Sequence, residues 1–174
     1  MLQASSDDES LENPILKAYD AINPDGSDFF FSTPSSESIT DLHPSPVQIF
    51  RLWQTFIDNV NPLVKIFHAP SIQQQVLEAS GDLENVPKGM EALMFAIYAT
   101  AIVSLSEVDC VSMFGEDKQV LLARYQNGSR QALSRAGLLR SSDMTILQAF
   151  VLYLVSLVSI CCGQLLTAYA RSLA

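Results

Sequence analysis

The sequence predicts an all-α domain, a helical array of about five helices that follows a disordered acidic N-terminal tail. Three observations predict it. Apolar residues recur at helical spacing in several separate stretches of the 174-residue chain. Capping signals stand before those stretches, and Gly or Pro follows most of them. Nowhere does a strand-length run alternate apolar and polar residues between two turn signals.

The tail is defined by charge. Residues 1–41 carry nine acidic side chains against Lys17 alone, a net −8 of the chain's −9. They are rich in Ser, Asp, Asn and Pro and hold no sustained apolar period. Such a segment buries too little apolar surface to offset the entropy of ordering, so it is read as a disordered acidic tail or linker. Within it, Asp28-Phe29-Phe30-Phe31 has the composition of an acidic activation segment. The same residues also suit a linker whose phenylalanines dock on the domain. The domain begins near Leu42.

The first helix opens at Ser45-Pro46-Val47-Gln48. Ser45 caps, Pro46 suits the first helical position and Gln48 closes a capping box. Ile49, Leu52, Trp53, Phe56 and Val60 follow at helical spacing, which places Trp53, Phe56 and Ile49 on the core face. Asn61-Pro62 ends the helix. After the loop LVKIFHAP, Ser71-Ile72-Gln73-Gln74 has the pattern of a second capping box, for a helix running to about Ala79. Gly81-Asp82 breaks it.

A third helix, from about Lys88 to Leu105, is apolar nearly all round and is therefore central. Gly115-Glu116-Asp117 starts a fourth, with acids placed well for the helix dipole. It ends at Gly137. Gly128, Ala132 and Ala136 recur every four residues along it. Small side chains there admit close approach of another helix, although ordinary core packing explains them as well. Ser141-Ser142-Asp143 starts the fifth helix.

The chemistry on offer is sparse. The sequence has no Gly-rich phosphate motif, no nucleophile elbow and no H-E-x-x-H pair. His43 and His68 both read as loop residues bonded to nearby backbone. Three cysteines, Cys110, Cys161 and Cys162, lack the paired spacing of a zinc site, so no metal, cofactor or catalytic residue is assigned. Asn127-Gly128-Ser129 fits a glycosylation sequon but follows no secretory signal. Glu116 and Asp117 read as a cap and dipole pair. Arg124, Arg130, Arg135 and Arg140 do not share one helix face. With a net charge of −9, the chain is the wrong sign for neutralising phosphates, and DNA binding is not expected from it alone.

Three stretches resemble a known family when taken in order. They are HPSPVQIFRLWQTFIDNVNPLVKIFHAPSIQQQVLEA, EALMFAIYATAIVSLS and LLARYQNGSRQALSRAGLLRSSDMTILQAFVLYL. Together they are similar to the opening of the fungal-specific transcription factor domain, the middle homology region of zinc binuclear-cluster regulators. The resemblance covers residues 42–154. It implies an all-α fold and a nuclear transcription regulator, not an enzyme, often tied to a metabolic or secondary-metabolite gene cluster. The six-cysteine DNA-binding module of that family has no counterpart in this chain, and the sequence departs from the family pattern after about residue 156. The expected organisation is an acidic tail over 1–41, the N-terminal part of a regulatory domain over 42–156, and a divergent apolar tail over 157–174. The regulator would then be truncated at both ends.

Two further expectations follow. Residues 144–170 hold 27 positions without a charged side chain, and about 20 suffice to span a bilayer. A small membrane-anchored helical protein is thus the alternative reading, weakened by Gln148, Gln164 and the amphipathic helices before them. In a truncated regulator, the fifth helix leaves an apolar face bare unless residues 157–174 fold back over it. A bare face predicts partner capture or self-association.

Overall fold

In the computed structural model the described residues are Ile39–Ser172, with side chains described as far as Ser159. Residues 1–38 of the acidic tail, with the Phe29-Phe30-Phe31 cluster, lie outside them, while its last three residues are described and Ile39 is buried. All regular elements among the described residues are helical. A 3-10 turn at Ile39–Leu42 leads into α1 (Pro46–Thr55), which continues as a π turn over Phe56–Val60. Then follow α2 (Ala69–Gly81), α3 (Lys88–Ser104), α4 (Glu107–Phe114), α5 (Lys118–Ala136) and α6 (Met144–Ser172). Among the described residues there are therefore six α-helices where the sequence predicted about five.

The additional helix is α4. Ser106 Oγ accepts the Asp109 backbone N–H at 3.1 Å, and Gly115 closes the helix in the left-handed region at φ 76°. Gly115 is thus the stop of α4 and not the start of the next helix. That start is one step later, where the Asp117 carbonyl accepts from Val120 and Leu121. The start of α2 also shifts. His68 is its N-cap residue and Ser71 lies inside the first turn.

Other local signals hold as written in the sequence. Ser45 N–H donates to Gln48 Oε1 at 3.3 Å, the reciprocal bond of a capping box. Gly137 takes φ 66° after α5, and Leu138 N–H reaches back to the Leu133 carbonyl at 3.3 Å. That six-to-one bond is the signature of a glycine-closed helix. Asp143 Oδ1 accepts from Thr145 N–H at 2.9 Å and caps α6.

The core is organised around α3. Every residue from Gly89 to Ile102 is buried, and α5 and α6 make the most extensive contacts with it. A helix apolar on all sides is stable only when neighbours cover each side. Here α1, α5 and α6 do so, with α2 adding a smaller contact. Three buried Thr and Ser hydroxyls satisfy themselves locally. Thr100 Oγ1 donates to the Ala96 carbonyl at 2.8 Å, Ser129 Oγ to Tyr125 at 2.8 Å and Ser156 Oγ to Tyr153 at 2.7 Å.

The first helix buries its expected face. Ile49, Leu52, Trp53, Phe56 and Val60 are all buried. The loop after it contributes Phe67, which stacks on Trp53 and Phe56 with ring centroids 6.3 Å and 5.6 Å away. Arg51 Nη1 donates to the Met113 carbonyl at 2.8 Å, fastening α1 to the end of α4. Lys118 Nζ donates to the Val103 and Leu105 carbonyls at the C-terminal end of α3, where a cation suits the helix dipole.

The membrane-anchor alternative loses its support here. No helix among the described residues is long and apolar enough to cross a membrane. The described half of α6 packs as a domain helix, with Ile146, Ala149, Leu152, Tyr153 and Ser156 buried along one face. Gln148 Nε2 donates to the Ile66 carbonyl at 3.1 Å, tying α6 to the loop before α2.

Candidate functional site

The polar groups singled out in the sequence are mostly committed to packing. His68 Nδ1 lies 2.9 Å from Ser71 Oγ, so its ring bonds a side chain within the first turn of α2 rather than backbone. Glu116 and Arg124 form a two-pronged ion pair, with oxygen–nitrogen distances of 3.1 Å and 2.5 Å. The hydrogen bond to Glu116 holds the guanidinium pKa above its ordinary value. Glu116 therefore serves as the partner of Arg124, and Asp117 alone occupies the cap position. Both ion-pair side chains are more than a third exposed, so the pair adds little to stability. Arg130 reaches Asn127 Oδ1 at 3.4 Å.

His43 departs furthest from expectation. Its ring is fully buried and lies 4.2 Å from the Phe95 ring, tilted by 38°. Neither ring nitrogen has a hydrogen-bond partner among the described residues. The nearest charge is Glu91 Oε1, 3.9 Å from Nε2. Glu91 is itself buried on the first turns of α3, where helix N-terminal amides favour an anion. Its other oxygen accepts from Arg135 Nη1 of α5 at 3.3 Å. Glu91 and Arg135 thus tie α3 to α5, and the His43 ring of the lead-in segment packs beside that pair. Arg135 is half exposed, so solvent screens its share of the tie.

Phe95 also lies close against Gly128. A Cβ at Gly128 would stand 2.5 Å from Phe95 Cδ1, inside any real contact distance. Gly128 is therefore the position where α5 closes on a buried ring, and it carries the close approach suggested by the small-residue repeat. The sequon residues follow from this packing. Ser129 is fully buried beside Gly128, so Asn127-Gly128-Ser129 is part of a packed helix.

Cys110 is buried, and burial pushes its thiol pKa up, away from the reactive thiolate. Cys161 and Cys162 lie where side chains are not described. Among the described residues, no group of three or more His, Cys, Asp or Glu side chains is placed to hold a metal ion.

Two tyrosines make a pH prediction. Burial raises Tyr125 to about 12 and raises Tyr98 well above its ordinary value. An unfolded phenol ionises near about pH 10. The neutral phenols stabilise the fold fully below that pH. The contribution is lost as pH rises through the folded values. Ellipticity is expected to hold to about pH 10 and to fall between about pH 10 and 12 as Tyr125 ionises, with burial of Tyr98 acting in the same direction. Parallel tyrosinate absorbance checks this. Full ionisation of all tyrosines with the helices intact would contradict it.

The described residues form shallow surface grooves. One of about 180 Å³ lies between the end of α1, the C-terminal end of α3 and α6, lined by Val60, Leu63, Val64, Val103, Val155 and small polar side chains. Met144, Leu147, Val151, Leu154 and Val158 stand exposed along α6.

Fold and site together define a helical domain whose polar groups hold helices to one another and whose exposed apolar face lies along α6. No family model matches the sequence, and no solved structure matches it. Curated proteins do. The chain is 50% identical over 131 residues to the aurofusarin cluster transcription factor aurR2 of Gibberella zeae, covering 75% of this chain and 20% of that protein. It is 43% identical over 155 residues to the pyriculol/pyriculariol biosynthesis cluster transcription factor 1 of Pyricularia oryzae, covering 86% of this chain and 21% of that one. A third relative is the C6 finger domain transcription factor adaR of Aspergillus niger, 37% identical over 129 residues, with 72% and 16% covered. The chain is therefore homologous, over about three quarters of its length, to fungal zinc-cluster transcription factors. It spans about a fifth of the length of these relatives.

Proposed function

We propose that this chain is a regulatory segment of a fungal transcription regulator, tied to a secondary-metabolite gene cluster and acting in the nucleus through protein contacts. The observation that carries this reading is the 50% identity, over 131 residues, to a regulator named for such a cluster. In this reading residues 42–156 form the opening of the fungal-specific transcription factor domain. Residues 1–41 form an acidic tail before it, and residues 157–174 a divergent apolar end. The all-helical fold supports that assignment, and so do the many polar groups committed to packing. No catalytic, cofactor or metal role is assigned to any residue. Contacts run through apolar helix faces, to protein partners or to a second copy.

The test joins the full chain to an unrelated DNA-binding module in a filamentous fungus carrying a matched reporter. Several-fold activation or repression, with the untethered chain accumulating in nuclei, is the expected result. An unchanged reporter together with exclusion from nuclei would sink the proposal.

A further inference from the structure

The groove between the end of α1, α3 and α6 has a wall of uncommon backbone. Phe56–Val60 winds as a π turn, in which the Asn61 N–H donates to the Phe56 carbonyl, five residues back, at 2.9 Å. Single π turns of this kind insert one residue into a helix and recur at functional sites. Here the turn buries Val60 and brings Asn59 to the end of α3, where Asn59 Nδ2 donates to Ser104 Oγ at 3.1 Å.

The polar side chains that line this groove share one chemical character. Thr100 Oγ1 donates to the Ala96 carbonyl at 2.8 Å and Ser104 Oγ to Ala101 at 2.7 Å. Ser156 Oγ donates to Tyr153 at 2.7 Å and Ser159 Oγ to Val155 at 2.8 Å. A hydroxyl has a single proton, and each of these commits it to its own helix. Lone pairs are what remain on the four oxygens. Asn59 adds a carbonyl oxygen, and its second amide hydrogen is the one donor left over. No charged side chain lines the groove among the described residues. A ligand that satisfies such a lining is neutral, apolar over most of its surface, and brings hydrogen-bond donors of its own.

We propose that the groove binds a small neutral phenol, a single aromatic ring carrying hydroxyl groups. Volume selects the size. An apolar cavity of about 150 Å³ accepts benzene. The groove, at about 180 Å³, holds one ring with its hydroxyls. A ring is favoured over a chain because it buries apolar area with few rotatable bonds to immobilise. The aliphatic side chains of Val60, Val64, Val103 and Val155 meet the ring, and its O–H groups donate to the Thr and Ser oxygens.

The proposal goes beyond protein contact, because it gives the segment a small-molecule input. Use of that input in regulation rests on the proposed function. Binding itself is read on the purified full chain with no reporter, so the two fail separately. Resorcinol, a ring with a pair of O–H donors, is the probe. On the 19.1 kDa chain, two-dimensional NMR is expected to show saturable shifts of the Asn59 side-chain amide and of the Val103 and Val155 methyls. Dissociation is expected at about 0.1–1 mM. Anisole matches resorcinol in heavy atoms and has no O–H, so it is expected to bind about 10-fold more weakly. Val103→Phe fills the groove and is expected to abolish saturable binding. Ser159→Phe, at an exposed position on the lining, is expected to do the same without touching the core. Val108→Glu, exposed on α4, is expected to leave binding unchanged.

A lack of saturable shifts at these groups, up to the solubility of the probe, overturns the proposal. Equal affinity for resorcinol and anisole does so too, as does binding that survives both Phe variants or is lost equally in Val108→Glu. Contacts in the free chain between these groups and residues 160–174 also overturn it, since the groove is then filled from within.

Discussion

Trp53→Ala is expected to cost about 3–5 kcal/mol of folding stability. Trp53 is 3% exposed and packs in a three-ring cluster with Phe56 at 6.0 Å and Phe67 at 6.3 Å. Removing it deletes a large apolar side chain and opens a cavity that the two remaining rings close only in part. A small domain is stable by about 5–15 kcal/mol, so the loss takes a large share of the total. Denaturant unfolding of the two proteins measures it. A loss below about 1 kcal/mol would mean that the aromatic stack does not form. Native Trp fluorescence provides an independent reading, since a buried indole emits to the blue and resists quenching.

Gly128→Val is expected to cost about 3 kcal/mol, against the direction that helix propensity alone predicts. Gly is a poor helix residue, and an exposed Gly→Ala change in a helix gains about 1 kcal/mol. At Gly128 the added carbon meets the Phe95 ring at 2.5–2.6 Å. That ring is fully buried and packed against His43 and Tyr98, with centroids 4.2 Å and 5.7 Å away. Overpacking a closed site forces shifts of side chains and backbone. The mechanism has its own check. In a Phe95→Leu background the same Gly128 substitution is expected to cost less, and a double-mutant cycle reads the coupling. Additive effects would show that Gly128 and Phe95 do not collide.

How much of this was legible depended on the range of the signal. The capping box at Ser45, the stop at Gly137 and the cap before α6 are local, set by residues within about four positions of one another. The start of α4 carried an equally local signal, Ser106 three residues before Asp109, with Gly115 as its stop. The apolar α3 announced its central place because such a helix has no face fit for water. Phe67 gave no such sign, since an aromatic within a loop looks alike whether it is solvated or stacked.

The sequence by itself determined the all-helical class, most helix boundaries and the core face of α1, because periodicity and capping act along the chain. The tertiary structure alone decided which polar side chains leave water. Of Glu91 and His43, the sequence singled out only His43, as a loop ring. They are buried together because α5 crosses α3 at Gly128 and the lead-in segment closes over Phe95. It also decided which face of α6 stays open. An apolar helix carries no local mark of the side its neighbours will take. That side is settled by where α3 and α5 lie, and burying Ile146, Ala149 and Leu152 against the core leaves Leu147, Leu154 and Val158 outward.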